Sequence, residues 1–200
     1  MSGTSNVPAS PGMSGNSLFR FDVFDRMRQA RNERPESPLS DFFAFAPLRD
    51  LTALIGDQAE VIDAQVVSGG YYAGLGVQPI LGRAIADEDD KPGVTPVVML
   101  SHQFWQERFG ASAAVIGQPL RLNNQSCTII GVLPTNFIDP AQVDFHPVVT
   151  VPLNSEPLLR GERSRLGSAQ KGGWLPAGYL RGARRKSIRW WRLDTNNKKD

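Results

Sequence analysis

Residues 95–110, TPVVMLSHQFWQERFG, read as a buried strand that runs directly into a capped helix. Val97 to Leu100 is a continuous apolar run, the pattern of a short strand covered on both faces. Ser101 stands where an N-cap hydroxyl accepts from the free N–H groups of a first helical turn, and Gly110 stands where a left-handed stop is wanted. Between them Phe104, Trp105 and Phe109 make a buried side, with Glu107 and Arg108 on the outer face. Toward the C-terminus, Leu120–Leu122 and Cys127–Val132 form a hairpin across Asn123-Asn124, a pair that tolerates the left-handed backbone of a tight turn, and Pro134 ends its second strand. Toward the N-terminus, Ala59–Val67 alternates as a half-buried strand, Gly69-Gly70 turns the chain, and Tyr71-Tyr72 begin a short helical turn. Gln78 to Arg83 is extended, and Asp87 to Asp90 is expected to be an exposed acidic loop.

Further out the patterns weaken. SDFFAFAPLRDLTALI, residues 40–55, is apolar enough for either strand or helix, and Pro47 interrupts a long element of either kind. Leu18–Asn32 reads as a short amphipathic helix capped by Ser17, with Phe21 and Phe24 on its apolar side. Phe145–Leu153 is an extended segment carrying two prolines, which predicts an edge strand. Residues 1–17, rich in Ser, Gly, Pro and Asn, are expected to be a disordered arm. The fold class that follows is α+β: a small mixed sheet of five or six short strands with two or three short helices, over residues 18–159.

Composition narrows the chemistry. At 200 residues and 21.9 kDa there is room for one domain. One cysteine, Cys127, excludes a disulfide scaffold, and two histidines, His102 and His146, leave little for metal binding. The net charge of +2 conceals a division: residues 1–159 hold 10 Lys+Arg against 17 Asp+Glu, and residues 160–200 hold 12 against 3. The N-terminus lacks the basic start and apolar stretch of a signal peptide. The nineteen uncharged residues Ala64–Gly82 hold five glycines and Pro79, so they read as strand, turn and strand rather than as a membrane helix.

No constellation assembles an active site. Asp87-Glu88-Asp89-Asp90 lacks the alternating oxygen ligands and distal glutamate of a calcium loop, and solvation is its simplest use. Gly74-Leu75-Gly76 is followed by no phosphate-binding pattern. Ser101-His102 sets a hydroxyl beside an imidazole, but sequence neighbours diverge in space and capping is the better use of Ser101. Cys127 is expected to be a buried core thiol, and His146 a polar residue at a strand edge. The remaining candidate is the tail. Arg181, Arg184, Arg185, Lys186, Arg189 and Arg192, interleaved with Tyr179, Trp190 and Trp191, have the composition of backbone clamps and stacking platforms for nucleic acid. Binding of that kind would weaken steeply with salt and disappear on removal of residues 175–200.

The ordered succession Val67-Ser68-Gly69-Gly70-Tyr71-Tyr72, Leu75 to Arg83, Glu88-Asp89-Asp90, Val98 to Ser101, Phe104-Trp105, Arg108-Phe109-Gly110, Val115-Ile116-Gly117, Leu120 to Asn123, and Thr128 to Val132 with Pro134 and Phe137 resembles the MacB-like periplasmic core domain of ABC transporter permeases, and most of all the ADOP-type permeases. The resemblance runs from Leu18 to Gly173. It implies a non-catalytic extracytoplasmic domain, standing between two membrane helices of the same permease and coupling their motion to conformational change outside the membrane. It implies no catalytic, cofactor-binding or metal-binding residue and no cofactor. Its implied partners are the membrane helices, a separate cytoplasmic ATPase and, in some members, an export adaptor.

Against that pattern the segmentation expected is a disordered arm over 1–17, a partial core domain over 18–159, a family-like linker over 160–173, and a basic tail over 174–200 that departs from the family as an out-of-frame ending would. The family's membrane helices would flank these residues, so the chain reads as a truncated fragment that, made alone, would stay in the cytoplasm. The alternative reading is a free-standing domain whose basic Trp/Arg tail binds nucleic acid.

Overall fold

The computed structural model describes residues 18–20, 24–26, 28–30, 39–135, 137, 145–164, 166, 174–176 and 178–182. The expected arm over 1–17 and the basic residues from Arg184 onward lie outside the described residues.

The strands are β1 (Leu18–Arg20), β2 (Leu39–Ile55), β3 (Gln58–Val67), β4 (Leu81–Gly82), β5 (Val97–Leu100), β6 (Pro119–Leu122), β7 (Gln125–Val132), β8 (Val149–Pro152), β9 (Trp174–Pro176) and β10 (Gly178–Gly182). The helices are α1 (Tyr71–Leu75), α2 (His102–Phe109) and α3 (Glu156–Arg160), joined by short 3-10 turns, and residues 24–26 and 28–30 are also helical. Of the helix expected over 18–32, the described residues 24–26 and 28–30 are helical, whereas Leu18–Arg20 pairs as a strand antiparallel to Trp174–Pro176.

The expected α+β class with a mixed sheet and few short helices is present, but the sheet is larger than the five or six short strands expected, and it closes on itself. Among the described residues eight strands form one sheet, and its pairings β2–β3–β8–β5–β7–β6 return to β2, closing six strands into a barrel. Closure removes edges that would otherwise template aggregation. Strands β4 and β10 branch from the ring along β7 and β2.

Residues 40–55 resolve as part of one 17-residue strand, Pro47 included. Ala44 points its N–H and C=O toward β3, donating to Ser68 Oγ at 2.9 Å and accepting from Ser68 N at 2.8 Å. By alternation Pro47 turns its nitrogen the other way, where among the described residues no strand is paired with β2 between the stretches paired with β10 and β6, so its missing N–H breaks no ladder bond. A bulge between Leu48 and Leu51, with Asp50 at φ 59°, then shifts the inward set from Ala44, Ala46 and Leu48 to Leu51 and Ala53. One extra residue thus keeps apolar side chains inside the barrel along the whole strand.

The barrel interior is packed by those residues with Ile62, Ala64, Val66, Val98, Leu100, Leu120, Leu122, Cys127, Ile129, Val149 and Val151. A second apolar layer lies outside the wall, where Phe43, Phe45, Val67, Val97, Met99 and Ile130 are covered by Tyr71 and Tyr72 of α1 and by Ile85. Tyr71 meets Phe43 edge-to-face at 5.2 Å and Tyr72 at 5.2 Å, a favoured geometry for aromatic pairs. This second layer corrects the reading of β3 as half-buried throughout: its first four residues are largely exposed, while Ala64 to Val67 are buried on both faces.

The extended segment at 145–153 is likewise corrected. Its strand β8 is central and fully buried, parallel to β3 and antiparallel to β5. Pro147 precedes the strand and Pro152 closes it, so neither sits where the ladder needs an interior N–H.

The quoted stretch at 95–110 forms as read. Val97–Leu100 is buried throughout, Ser101 Oγ accepts from Phe104 N at 3.2 Å, and Gly110 is left-handed at φ 58°. Asn123 and Asn124, at φ 45° and 67°, make the two-residue hairpin turn.

Candidate functional site

The acidic loop is where the structure departs furthest from a solvated reading. Asp87 and Glu88 face water, but Asp89 and Asp90 are buried. Asp89 accepts two hydrogen bonds from the Arg83 guanidinium, at 2.6 and 2.8 Å, and a third from Ala86 N at 2.9 Å. The Asp90 carboxylate has no exposed surface. Its Oδ1 accepts from Asn154 N at 2.8 Å and from Asn154 Nδ2 at 3.1 Å; its Oδ2 accepts from Gly69 N at 3.2 Å and lies 3.6 Å from Arg28 Nη1. Asn154 Nδ2 also donates to the Asp90 carbonyl at 2.8 Å. One loop thereby clasps the β3–α1 corner, the turn after β8 and the helical residues near 28. Local charge density predicted repulsion and exposure; convergence of donors from distant segments reverses it.

The two aspartates respond oppositely. The Arg83 hydrogen bonds hold Asp89 below the ordinary carboxylate range, whereas burial raises Asp90, partly offset by the bonds from Asn154 and Gly69. A carboxyl lowered on folding contributes stability above its unfolded value of about 3.9 and loses it as pH falls through the folded value. Asp90, being raised, acts with the opposite sign. Arg83 is 55% exposed, so solvent screening limits its pair to about 1 kcal/mol. Arg83→Met is therefore expected to lower stability by about that amount at pH 7 and by much less near pH 2.5. Urea unfolding of both proteins at the two pH values checks it, and an equal difference at both would refute the ion pair as the source.

The other residues weighed for chemistry are placed individually. Ser101 Oγ is engaged by the helix N-terminus, and the His102 ring packs edge-to-face on Trp105 at 5.5 Å, so the two do not form a hydroxyl–imidazole pair. Gly74 lies within α1 and Gly76 is its left-handed C-cap at φ 68°. Cys127 is sealed in the barrel, its thiol pushed up to about 12 by burial, and so is inert at neutral pH. His146 is exposed. Among the described residues no group of three His, Cys, Asp or Glu is placed to hold a metal ion. Among the described residues no helix is long and apolar enough to cross a membrane. In the tail, Tyr179 and Arg181 fall in β10, opposite Phe43 and Asp41; Arg184, Arg185, Lys186, Arg189, Trp190, Trp191 and Arg192 lie outside the described residues.

A feature that sequence reading missed is a cleft of about 680 Å³ between the bulged part of β2, the β6–β7 turn and the end of α3. Arg49, Arg121, Arg160 and Arg163 line it, with Asp50 the one carboxylate. These arginines come from three well-separated stretches of chain, so no local motif marks them.

The family model of the MacB-like periplasmic core domain matches residues 5–173. The fold is similar to the extracellular domain of the noncanonic ABC-type transporter YknZ from Gram-positive bacteria, with a TM-score of 0.58 at 15% identity over 83% of this chain and 74% of that one. It is also similar to the periplasmic region of MacB from Actinobacillus actinomycetemcomitans, with a TM-score of 0.53 at 14% identity over 80% and 70%. At such identities the likeness is one of fold. No curated protein matches the sequence.

Proposed function

Since the chain belongs to the MacB-like periplasmic core domain family of ABC transporter permeases, we propose that it serves as a non-catalytic extracytoplasmic element that couples movement of a permease's membrane helices to conformational change outside the membrane. The family match over residues 5–173 carries this reading. The build of the domain supports it mechanically. A closed barrel, packed inside and sheathed outside, moves as a rigid body rather than dissipating a displacement internally. The Asp89–Asp90 clasp adds polar ties between elements that a hinge would otherwise separate.

In this role the domain's partners are the permease's own helices and, through them, an ATPase on the other side of the membrane; contact with an export adaptor belongs to the same proposal. The test is to replace the domain in its permease by a flexible Gly/Ser linker and to reconstitute the protein with its ATPase in proteoliposomes. ATP-dependent export is expected to be lost while membrane insertion persists. Export at the unaltered rate would overturn the coupling role.

A further inference from the structure

We propose that the cleft between β2, the β6–β7 turn and α3 binds a small polyanion carrying two or more phosphate groups. This rests on the residues of the cleft and not on the transport role. Four arginines line one half-open cleft with a single lining aspartate; Arg49 is paired with Asp63, and the remaining excess of positive charge concentrates anions in a concave site. Two of the arginines are not spent on the fold. Arg121 and Arg163 are exposed and have no carboxylate partner among the described residues. A guanidinium in that state offers a planar fork of donors matched to phosphate oxygens. The volume falls within the range of small-molecule sites.

The walls are held in place without a ligand. Asn123 Oδ1 accepts from Thr52 N at 2.7 Å, Asn123 N donates to Thr52 O at 2.8 Å, and Asn123 Nδ2 donates to Leu159 O at 3.0 Å. One side chain thus pins the hairpin turn to β2 on one side and to α3 on the other. Arg49 is steadied by Asp63 at 3.5 Å and by the Phe145 ring at 4.5 Å, and Arg160 donates to the Arg49 carbonyl at 3.4 Å. A preformed cationic cleft spends little binding energy on ordering.

The phosphates could belong to a soluble polyanion or to lipid headgroups, and one experiment separates them. The full chain is titrated calorimetrically with inorganic tripolyphosphate at low salt and sedimented with phosphatidylglycerol vesicles. One tripolyphosphate per chain is expected, with affinity falling about tenfold in each of Arg121→Gln and Arg163→Gln, as loss of one charge-assisted hydrogen bond implies. Both substitutions are at exposed positions, and Lys91→Gln, away from the cleft, is expected to change nothing. Vesicle binding that requires the same two arginines would support the site with a lipid headgroup as the anion's source; tripolyphosphate binding without vesicle binding would support it with a soluble source. Absence of tripolyphosphate binding overturns the proposal. So does binding that survives in the double variant, which would transfer anion recognition to the basic segment after Gly182.

Discussion

Gly82→Ala is expected to lower stability by about 4 kcal/mol, near the upper end of single-residue effects. Two costs combine. Gly82 has φ 72°, where an L side chain is strained by about 1–2 kcal/mol. Its Cβ would also fall on the Ile130 carbonyl of the neighbouring strand, far inside van der Waals contact. That carbonyl is backbone and accepts from Arg83 N at 2.8 Å, so it has no rotamer by which to yield. Gly131 faces the same crossing, with its own Cβ position on the Arg83 carbonyl, so the two chains approach because both lack side chains. Relief therefore requires β4 to separate from β7 and to draw the loop at 83–90 with it. Gly56→Ala is the control: φ is 59° and the space around it is open, so only the conformational cost of about 1 kcal/mol is expected. Urea unfolding of the two variants measures the difference. Equal losses would show that the crossing relaxes freely and that the close approach is not a constraint.

Asp90→Ala is expected to cost about 3 kcal/mol, for a different reason. It deprives Gly69 N and Asn154 N of their acceptor in a site where Asp90 has no exposed surface, while Asn154 Nδ2 keeps the Asp90 backbone carbonyl, and each buried donor left unmatched costs about 1–3 kcal/mol. Part of this is offset, because burial raises the Asp90 carboxyl and removing an unfavourably buried charge is a gain. Asp90→Asn separates the two effects. It retains an oxygen for Asn154 and abolishes the charge, but turns an amide donor toward Gly69 N, so it is expected to lose less than half as much. Thermal and urea unfolding of both variants decide the matter. A loss below about 1 kcal/mol in Asp90→Ala would remove the clasp from the list of elements that hold the domain together; equal losses in both would assign its strength to attraction between the charge and Arg28.

These two positions mark the boundary between what local chemistry announces and what it does not. The quoted stretch at 95–110 was legible because strand, cap, helix and stop are each decided within a few residues: four apolar positions, one hydroxyl, one aromatic face, one glycine. Asn123-Asn124 was legible for the same reason, since the turn needs positive φ at both sites and asparagine supplies it cheaply. The burial of Cys127 followed from its alternation with Ile129. The same local signals, in order along the chain, carried the resemblance that the family match over residues 5–173 bears out.

The acidic loop was misread because its exposure depends on Arg28, Gly69 and Asn154, residues 21 to 64 positions away from Asp90. The position of β8 was misread because two prolines in a strand imply an edge only while their register is unknown. Nothing in the sequence marked the arginine cleft, whose walls meet only once β2, the hairpin turn and α3 are packed. By itself the sequence determined the local elements and the family, since propensity, capping and turn chemistry act over one to four residues. Closure of the barrel, its second apolar layer, the clasp at Asp89–Asp90 and the cationic cleft were decided by the tertiary structure alone, because each depends on which strand edges find one another and no residue states its partner.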